Sequence, residues 1–111
     1  KVPHVIQMAS REPFLIGGIW DTWHYGQPDA LTTFCLLTTL PNELAGSIHV
    51  RMPLIVAPED APRWLDRNEH DVGDLLRPFP AEEMTAYTAS SRVNSAKNED
   101  PILVDPANRE R

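Results

Sequence analysis

The sequence predicts an α+β fold: one domain with a mainly antiparallel β-sheet and short peripheral helices. Three observations carry this. The chain has 111 residues, 41% of them hydrophobic and 23% charged, the balance of a single folded domain with a modest core rather than a disordered tail. Its apolar, β-prone runs are short and are separated by segments rich in Pro, Gly, Asn and Asp. Its helical patterns last only a turn or two, and neither a repeat nor a long linker divides the chain.

Taken in order, residues 2–8 and 14–20 are β-prone runs separated by the turn-like Ala9-Ser10-Arg11-Glu12-Pro13, so they are expected to pair with each other. Gly17 and Gly18 would weaken an ordinary strand and point to a bulge or a close backbone approach. Residues 24–29 form a loop, and residues 31–39 read as a buried strand with Cys35 an inert core thiol, because a reactive thiolate needs a polar, partly exposed setting. Residues 41–46 read as one helical turn ended by Gly46, where glycine would let the backbone reverse and deliver the chain to His49.

Residues 59–67 open like a helix. Acids occupy the first turn, Pro62 falls early enough to be tolerated, and Ala61, Trp64 and Leu65 follow helical spacing, which makes Trp64 a core anchor rather than a stacking platform. Residues 71–76 form a second short helix closed by Arg77-Pro78-Phe79-Pro80. Residues 84–89 are a strand, and residues 90–101 are a polar loop full of side-chain hydrogen-bonders.

Lys plus Arg number 10 and Asp plus Glu 16, a formal net charge of −6, which opposes indiscriminate adhesion to nucleic acid or acidic membranes. Polyanion binding must therefore be local, with Arg51, Arg63, Arg67, Arg77, Arg92 and Lys97 as the cations a fold could gather. One cysteine excludes an intrachain disulfide and a Cys-based zinc cluster, and fits a reducing compartment. No apolar stretch approaches the roughly twenty residues of a membrane span, and a cytoplasmic location with no membrane partner is expected. His4, His24, His49 and His70 lack zinc-type spacing, and phosphate-loop and hydrolase-elbow motifs are absent; no metal and no cofactor is expected.

The segment Ser47-Ile48-His49-Val50-Arg51-Met52-Pro53 remains. In an extended segment residues two apart share a face, so His49 and Arg51 would project together, an imidazole that exchanges protons near neutral pH beside a fixed cation. Such a pair suits an anionic substrate, although on spacing alone a surface or structural pair is the ordinary outcome.

Several blocks in order resemble the landmarks of a known family. They are Gly18-Ile19-Trp20-Asp21-Thr22-Trp23, Thr38-Thr39, Ile48-His49-Val50-Arg51-Met52-Pro53, Trp64-Leu65, and Ser90-Ser91-Arg92-Val93-Asn94 with Asn98 and Pro101. Together they resemble the SRAP domain of SOS-response-associated peptidases, whose vertebrate relatives shield abasic sites in single-stranded DNA. Asp21 stands where many members carry glutamate. The resemblance implies a strongly curved or barrel-like sheet, with residues 1–106 as the C-terminal portion of one SRAP domain and 107–111 as a polar tail.

It also implies an active-site cysteine, asparagine and glutamate upstream of Lys1. In the family that cysteine forms an imine and then a thiazolidine with the ring-opened abasic aldehyde, and the chain alone is expected to be inactive. By carry-over His49 assists proton transfer in forming or reversing the crosslink. Arg51 holds a backbone phosphate, Arg92 and Trp23 are further DNA contacts, and Asn94 and Pro53 are structural residues near the site. The plainer readings come first: Trp23 packs, and Asn94 ties down its loop through backbone hydrogen bonds. The partner implied is single-stranded DNA with abasic sites, bound by a monomer. Alternative readings are a cysteine-type autopeptidase, or a non-catalytic DNA-binding module of a phage or mobile element.

Overall fold

In a computed structural model, which describes residues 2–106, the first two strands find partners far along the chain rather than next to them. The strands are β1 (His4–Met8), β2 (Leu15–Ile16), β3 (Gly18–Trp23), β4 (Leu31–Leu36), β5 (Thr38–Thr39), β6 (Met52–Pro53), β7 (Ile55–Val56) and β8 (Met84–Thr88). The α-helices are α1 (Glu43–Gly46) and α2 (Ala61–Leu65), with 3-10 turns at Pro58–Asp60, Gly73–Leu75, Ala81–Glu83, Ser91–Asn94 and Pro101–Val104. The chain divides into two units, one of residues 2–13 with 81–106 and one of Phe14–Pro80.

In the first unit β1 and β8 pair antiparallel from His4 opposite Thr88 to Met8 opposite Met84. The ladder is extended by the Ala9 N–H to Glu83 O bond at 2.9 Å and the Ala89 N–H to Pro3 O bond at 2.9 Å. Met8, Met84, Ala89 and Leu103 are buried. The Tyr87 hydroxyl donates to the Val104 carbonyl, tying the last 3-10 turn to β8.

The second unit consists of three antiparallel ribbons, β2 with β7, β3 with β4, and β5 with β6. Its core holds Met52, Leu54, Ile55, Val56 and Leu75, with the Leu54 side chain out of contact with water. Gly17 sits where the chain passes from β2 to β3. Its N–H donates to Leu54 O at 2.7 Å, and its carbonyl accepts from Leu37 N–H at 3.0 Å. A Cβ at this position would lie 2.9 Å from Leu54 Cδ2 and 3.2 Å from Trp64 Cζ2, so only glycine lets the core close here. The expected close approach is present, and half-buried Trp64 is part of it.

Five expectations are corrected. The runs at 2–8 and 14–20 do not pair with each other, because β1 finds β8 and β2 finds β7. The described residues form separate two-stranded antiparallel ribbons within a mixed α/β architecture and do not close into a barrel. Cys35 is exposed, as is every residue of β4, because nothing among the described residues covers either face of the β3–β4 hairpin. Gly46 does not adopt a left-handed conformation; the chain leaves α1 through Ser47 in the right-handed region, with the N–H groups of Ile48 and His49 both on Ala45 O. Finally, the helix expected at 71–76 is a single 3-10 turn. The expected polar tail, 107–111, lies outside the described residues, as does Lys1.

Candidate functional site

The loop carrying His49 is anchored at both ends. Asn42 caps α1, its Oδ1 accepting the Ala45 N–H at 2.8 Å, which satisfies a helix N–H with no partner inside the turn. The same buried side chain donates through Nδ2 to Phe79 O at 2.7 Å, fastening the start of α1 to the segment after the second 3-10 turn. At the other end Met52 is buried and paired with Thr39 in the β5–β6 ribbon. Between these fixed points His49, Val50 and Arg51 are exposed and lie outside any strand, with a bend at Val50.

The extended shared-face geometry is therefore not what joins His49 to Arg51. The backbone N–H of Arg51 donates to His49 Nδ1 at 3.1 Å. With that lone pair occupied, the neutral ring carries its hydrogen on Nε2, which no group among the described residues engages. The Arg51 side chain turns onto Thr38: Nε donates to Thr38 Oγ1 at 3.0 Å, and Nη2 donates to Thr38 O at 2.8 Å and to Oγ1 at 2.9 Å. Thr38 in turn pairs with Pro53. The fork is thus held by its inner edge, and the Nη1 N–H groups are left for an incoming anion.

Beside this clamp runs a groove of about 370 Å³ lined by Leu37, Thr38, Thr39, Leu40, Leu54 and Leu76, with Pro78 at its end. Its walls are mainly apolar, and Thr38, the residue that holds Arg51, is among them.

Trp23 ends β3 at the tip of the hairpin. It is exposed, and its ring stacks on His24 with centroids 3.2 Å apart and planes 16° from parallel. His24 holds a left-handed φ of 55° and bonds Asp29 through Nδ1 at 3.1 Å. No hydrogen bond or ring contact among the described residues joins Trp23 to His49 or Arg51. In the other unit Arg92 is exposed and already paired, its Nη2 lying 2.9 Å from Asp100 Oδ2. Ser90 caps the turn that contains Arg92 and Asn94, and Asn98 Nδ2 ties the loop to Arg92 O at 2.7 Å.

Two further cations of the second unit, Arg63 and Arg77, are each held by a carboxylate. Arg63 forms a two-pronged pair with Asp74, Nη1 to Oδ2 at 2.9 Å and Nη2 to Oδ1 at 3.0 Å, and Arg77 faces Asp60. The hydrogen bond it donates to Asp74 raises the pKa of the Arg63 guanidinium, and the same bond lowers that of the Asp74 carboxyl. Both groups are solvated, so this is a local brace between α2 and the 3-10 turn at Gly73–Leu75. Among the described residues no cluster of His, Cys, Asp and Glu could hold a metal ion, and no helix is long and apolar enough to cross a membrane.

Sequence reasoning gave no role to Thr38 or Asn42. Thr38 had a signal, since Thr38-Thr39 is one of the landmark blocks, but nothing in the sequence says which threonine oxygen an arginine thirteen positions later will grip. Asn42 had the signal of an N-cap ahead of Glu43.

Comparison with known proteins follows these landmarks. The profile of the family described as SOS response associated peptidase (SRAP) matches residues 1–96. Abasic site processing protein YoqW of Bacillus subtilis is 38% identical over 108 residues, 95% of this chain and 48% of that protein. Abasic site processing protein HMCES of Rattus norvegicus is 30% identical over 94 residues, 83% of this chain and 27% of that protein. A crystal structure of a protein from Bacteroides thetaiotaomicron superposes with a TM-score of 0.80 at 31% identity, covering 96% of this chain and 48% of that one. The chain spans about half the length of the Bacillus relative it matches.

Proposed function

This chain belongs to the SRAP family, and we propose that it carries the imidazole and phosphate-anchoring part of a domain that processes abasic sites in single-stranded DNA. The observation that carries the reading is the loop at His49, where one residue, Arg51, sets the imidazole with its backbone and offers a cation with its side chain. An abasic site presents an aldehyde flanked by phosphates, and these two groups match that pairing in kind.

The reaction is the one the family resemblance implies. An α-amine adds to the aldehyde, the carbinolamine loses water to give an imine, and a thiol adds across the C=N bond, its proton passing to nitrogen as the thiazolidine closes. Cys35 cannot supply these groups, because its nitrogen is in a peptide bond; the cysteine belongs to another part of the domain. The departing hydroxyl needs a hydrogen-bond donor, and His49 Nε2–H is one in the resting geometry. To carry a proton outright, the ring must first free Nδ1 from the Arg51 N–H. Arg51 Nη1 takes a phosphate, a contact that positions DNA without reading its sequence. Arg92 is a further contact once it exchanges Asp100 for phosphate. The protein would act on DNA in the cytoplasm.

The test is a chimaera in which this chain replaces the matching half of YoqW. Incubated with a single-stranded oligonucleotide holding one abasic site, it should give a slow-migrating species that survives denaturant. In the same protein His49→Ala should change the rate of adduct formation or reversal by about tenfold or more. If no such species forms where a relative forms one, the reading fails; if the His49→Ala rates match the parent, His49 loses its role.

A further inference from the structure

We propose that residues 47–51 form a proton-operated switch: proton uptake by His49 breaks the bond between its ring and the Arg51 backbone and releases the bend at Val50. The switch belongs to the resting chain, and only its use in the reaction rests on the abasic-site reading.

The loop is held firmly on either side of one weak point. Ser47 Oγ donates to Leu44 O at 2.8 Å and the His49 N–H donates to Ala45 O at 2.8 Å, so the backbone is fixed to α1 as far as His49. Beyond the bend, the Arg51 side chain is fixed to Thr38 and Met52 is buried in its ribbon. Val50 lies between these holds and is 75% exposed. Among the described residues one hydrogen bond closes the bend across it, from the Arg51 N–H to His49 Nδ1 at 3.1 Å.

That bond needs a lone pair. A neutral imidazole has one to offer, whereas in an imidazolium both ring nitrogens are donors. With a proton on Nδ1, two N–H groups would face each other at 3.1 Å, so the ring must rotate away or the Arg51 amide must turn to water. Either movement leaves the bend without the bond that closes it. Imidazoles change charge between about pH 5 and 8, which sets the range in which the switch works.

The surroundings give the charged ring no other fixed seat. Its own loop brings the Arg51 guanidinium, α1 brings the exposed carboxylate of Glu43, and the β5–β6 ribbon brings no titratable side chain. Among the described residues no ion pair reaches His49. The closed loop therefore holds a ring whose Nε2–H donates a hydrogen bond but whose Nε2 accepts no proton. The open loop holds a ring with a proton to transfer and freedom to move relative to a phosphate on Arg51. Charge on the imidazole and its position beside the anchored anion thus change together.

The test is a pH titration by NMR of 15N-labelled protein without DNA, run on the 111-residue chain and on the YoqW chimaera. Ring nitrogen signals report the tautomer, and the Arg51 amide reports the bond. The proposal expects the Nε2–H tautomer in the neutral ring and an Arg51 amide signal that shifts with the same midpoint as the ring. Protection of that amide from exchange, corrected for the intrinsic effect of pH, should fall by about fivefold or more below the midpoint. The Leu54 amide, bonded to Leu37 O, should not follow the ring. His49→Asn keeps an acceptor for the N–H two residues on but takes up no proton, so its Arg51 amide should stay protected at every pH. Arg51→Ala keeps the backbone N–H, so the switch should survive it. A neutral ring in the Nδ1–H tautomer overturns the proposal, as does an Arg51 amide that ignores the ring or that titrates unchanged in His49→Asn. Loss of the switch in Arg51→Ala assigns it to the guanidinium and overturns it as well. Because no DNA is present, failure here leaves the crosslinking assay to be judged separately, and failure there leaves this result standing.

Discussion

Replacing Asn42 by alanine should loosen the His49 loop without touching it. The side chain caps α1 through the 2.8 Å bond from Ala45 N–H and holds Phe79 O at 2.7 Å. Losing an N-cap costs about 1 kcal/mol. Losing the second bond costs about another 1 kcal/mol, because Phe79 O is left without that donor. The sum, about 2 kcal/mol, corresponds to roughly a thirtyfold rise in the open population of the turn, at 1.4 kcal/mol per tenfold. Native-state hydrogen exchange reads this directly. The amides of Gly46, Ile48 and His49, which bond Asn42 O and Ala45 O, should exchange about thirtyfold faster. Asn42→Ser keeps an acceptor for the cap and loses the bond to Phe79, so it should give about a fivefold rise. If both variants exchange within twofold of the parent at these amides, Asn42 does not hold the loop and the anchoring argument is wrong.

Leu54→Ala should lower stability by about 2–5 kcal/mol in urea titration, because the side chain has no exposed surface and its neighbours include the backbone corner at Gly17. Asp74→Asn should flatten the acid limb of the stability curve. The folded pKa of Asp74 is depressed by Arg63, so its contribution is present above the ordinary carboxylate range and fades as pH falls through the folded value; urea midpoints from pH 6 down to pH 3 check the sign. Arg51→Lys keeps the charge and loses the grip of Nε and Nη2 on Thr38, so the salt dependence of single-stranded DNA binding by the chimaera should persist while adduct formation slows. Arg51→Ala should also reduce the salt slope by about one.

Local chemistry was legible wherever neighbours in sequence decide it. The strand at 84–89 and the helical turn after Asn42 follow from residues within a few positions of each other, and the Gly17-Gly18 pair signalled a close approach without saying that Leu54 and Trp64 make it. Strand pairing was not legible. The period of an apolar run states which residues share a face and says nothing about the partner, so adjacent runs were expected to pair when β1 in fact joins β8. Cys35 failed for a related reason: β-branched and apolar residues show that a strand is made to be covered, and the sequence of the strand does not contain its cover. At the candidate site the histidine and arginine were legible as a pair, but the backbone bond that joins them and the threonine that grips the arginine depend on a bend and a cross-strand register that spacing does not encode.

The corner at Gly17 bears on the order in which the second unit assembles. The hairpin of β3 and β4 closes a short loop, so its chain entropy is small and its pairing is early. The bonds from Gly17 to Leu37 and Leu54 join segments far apart in sequence, and Leu54 also donates to Leu37 O at 2.8 Å, so three segments meet at one point. That knot can tighten only after both the hairpin and the His49 loop have been brought in. Substitutions at Gly17 and Leu54 should therefore accelerate unfolding far more than they retard folding, the signature of contacts made after the barrier has been crossed.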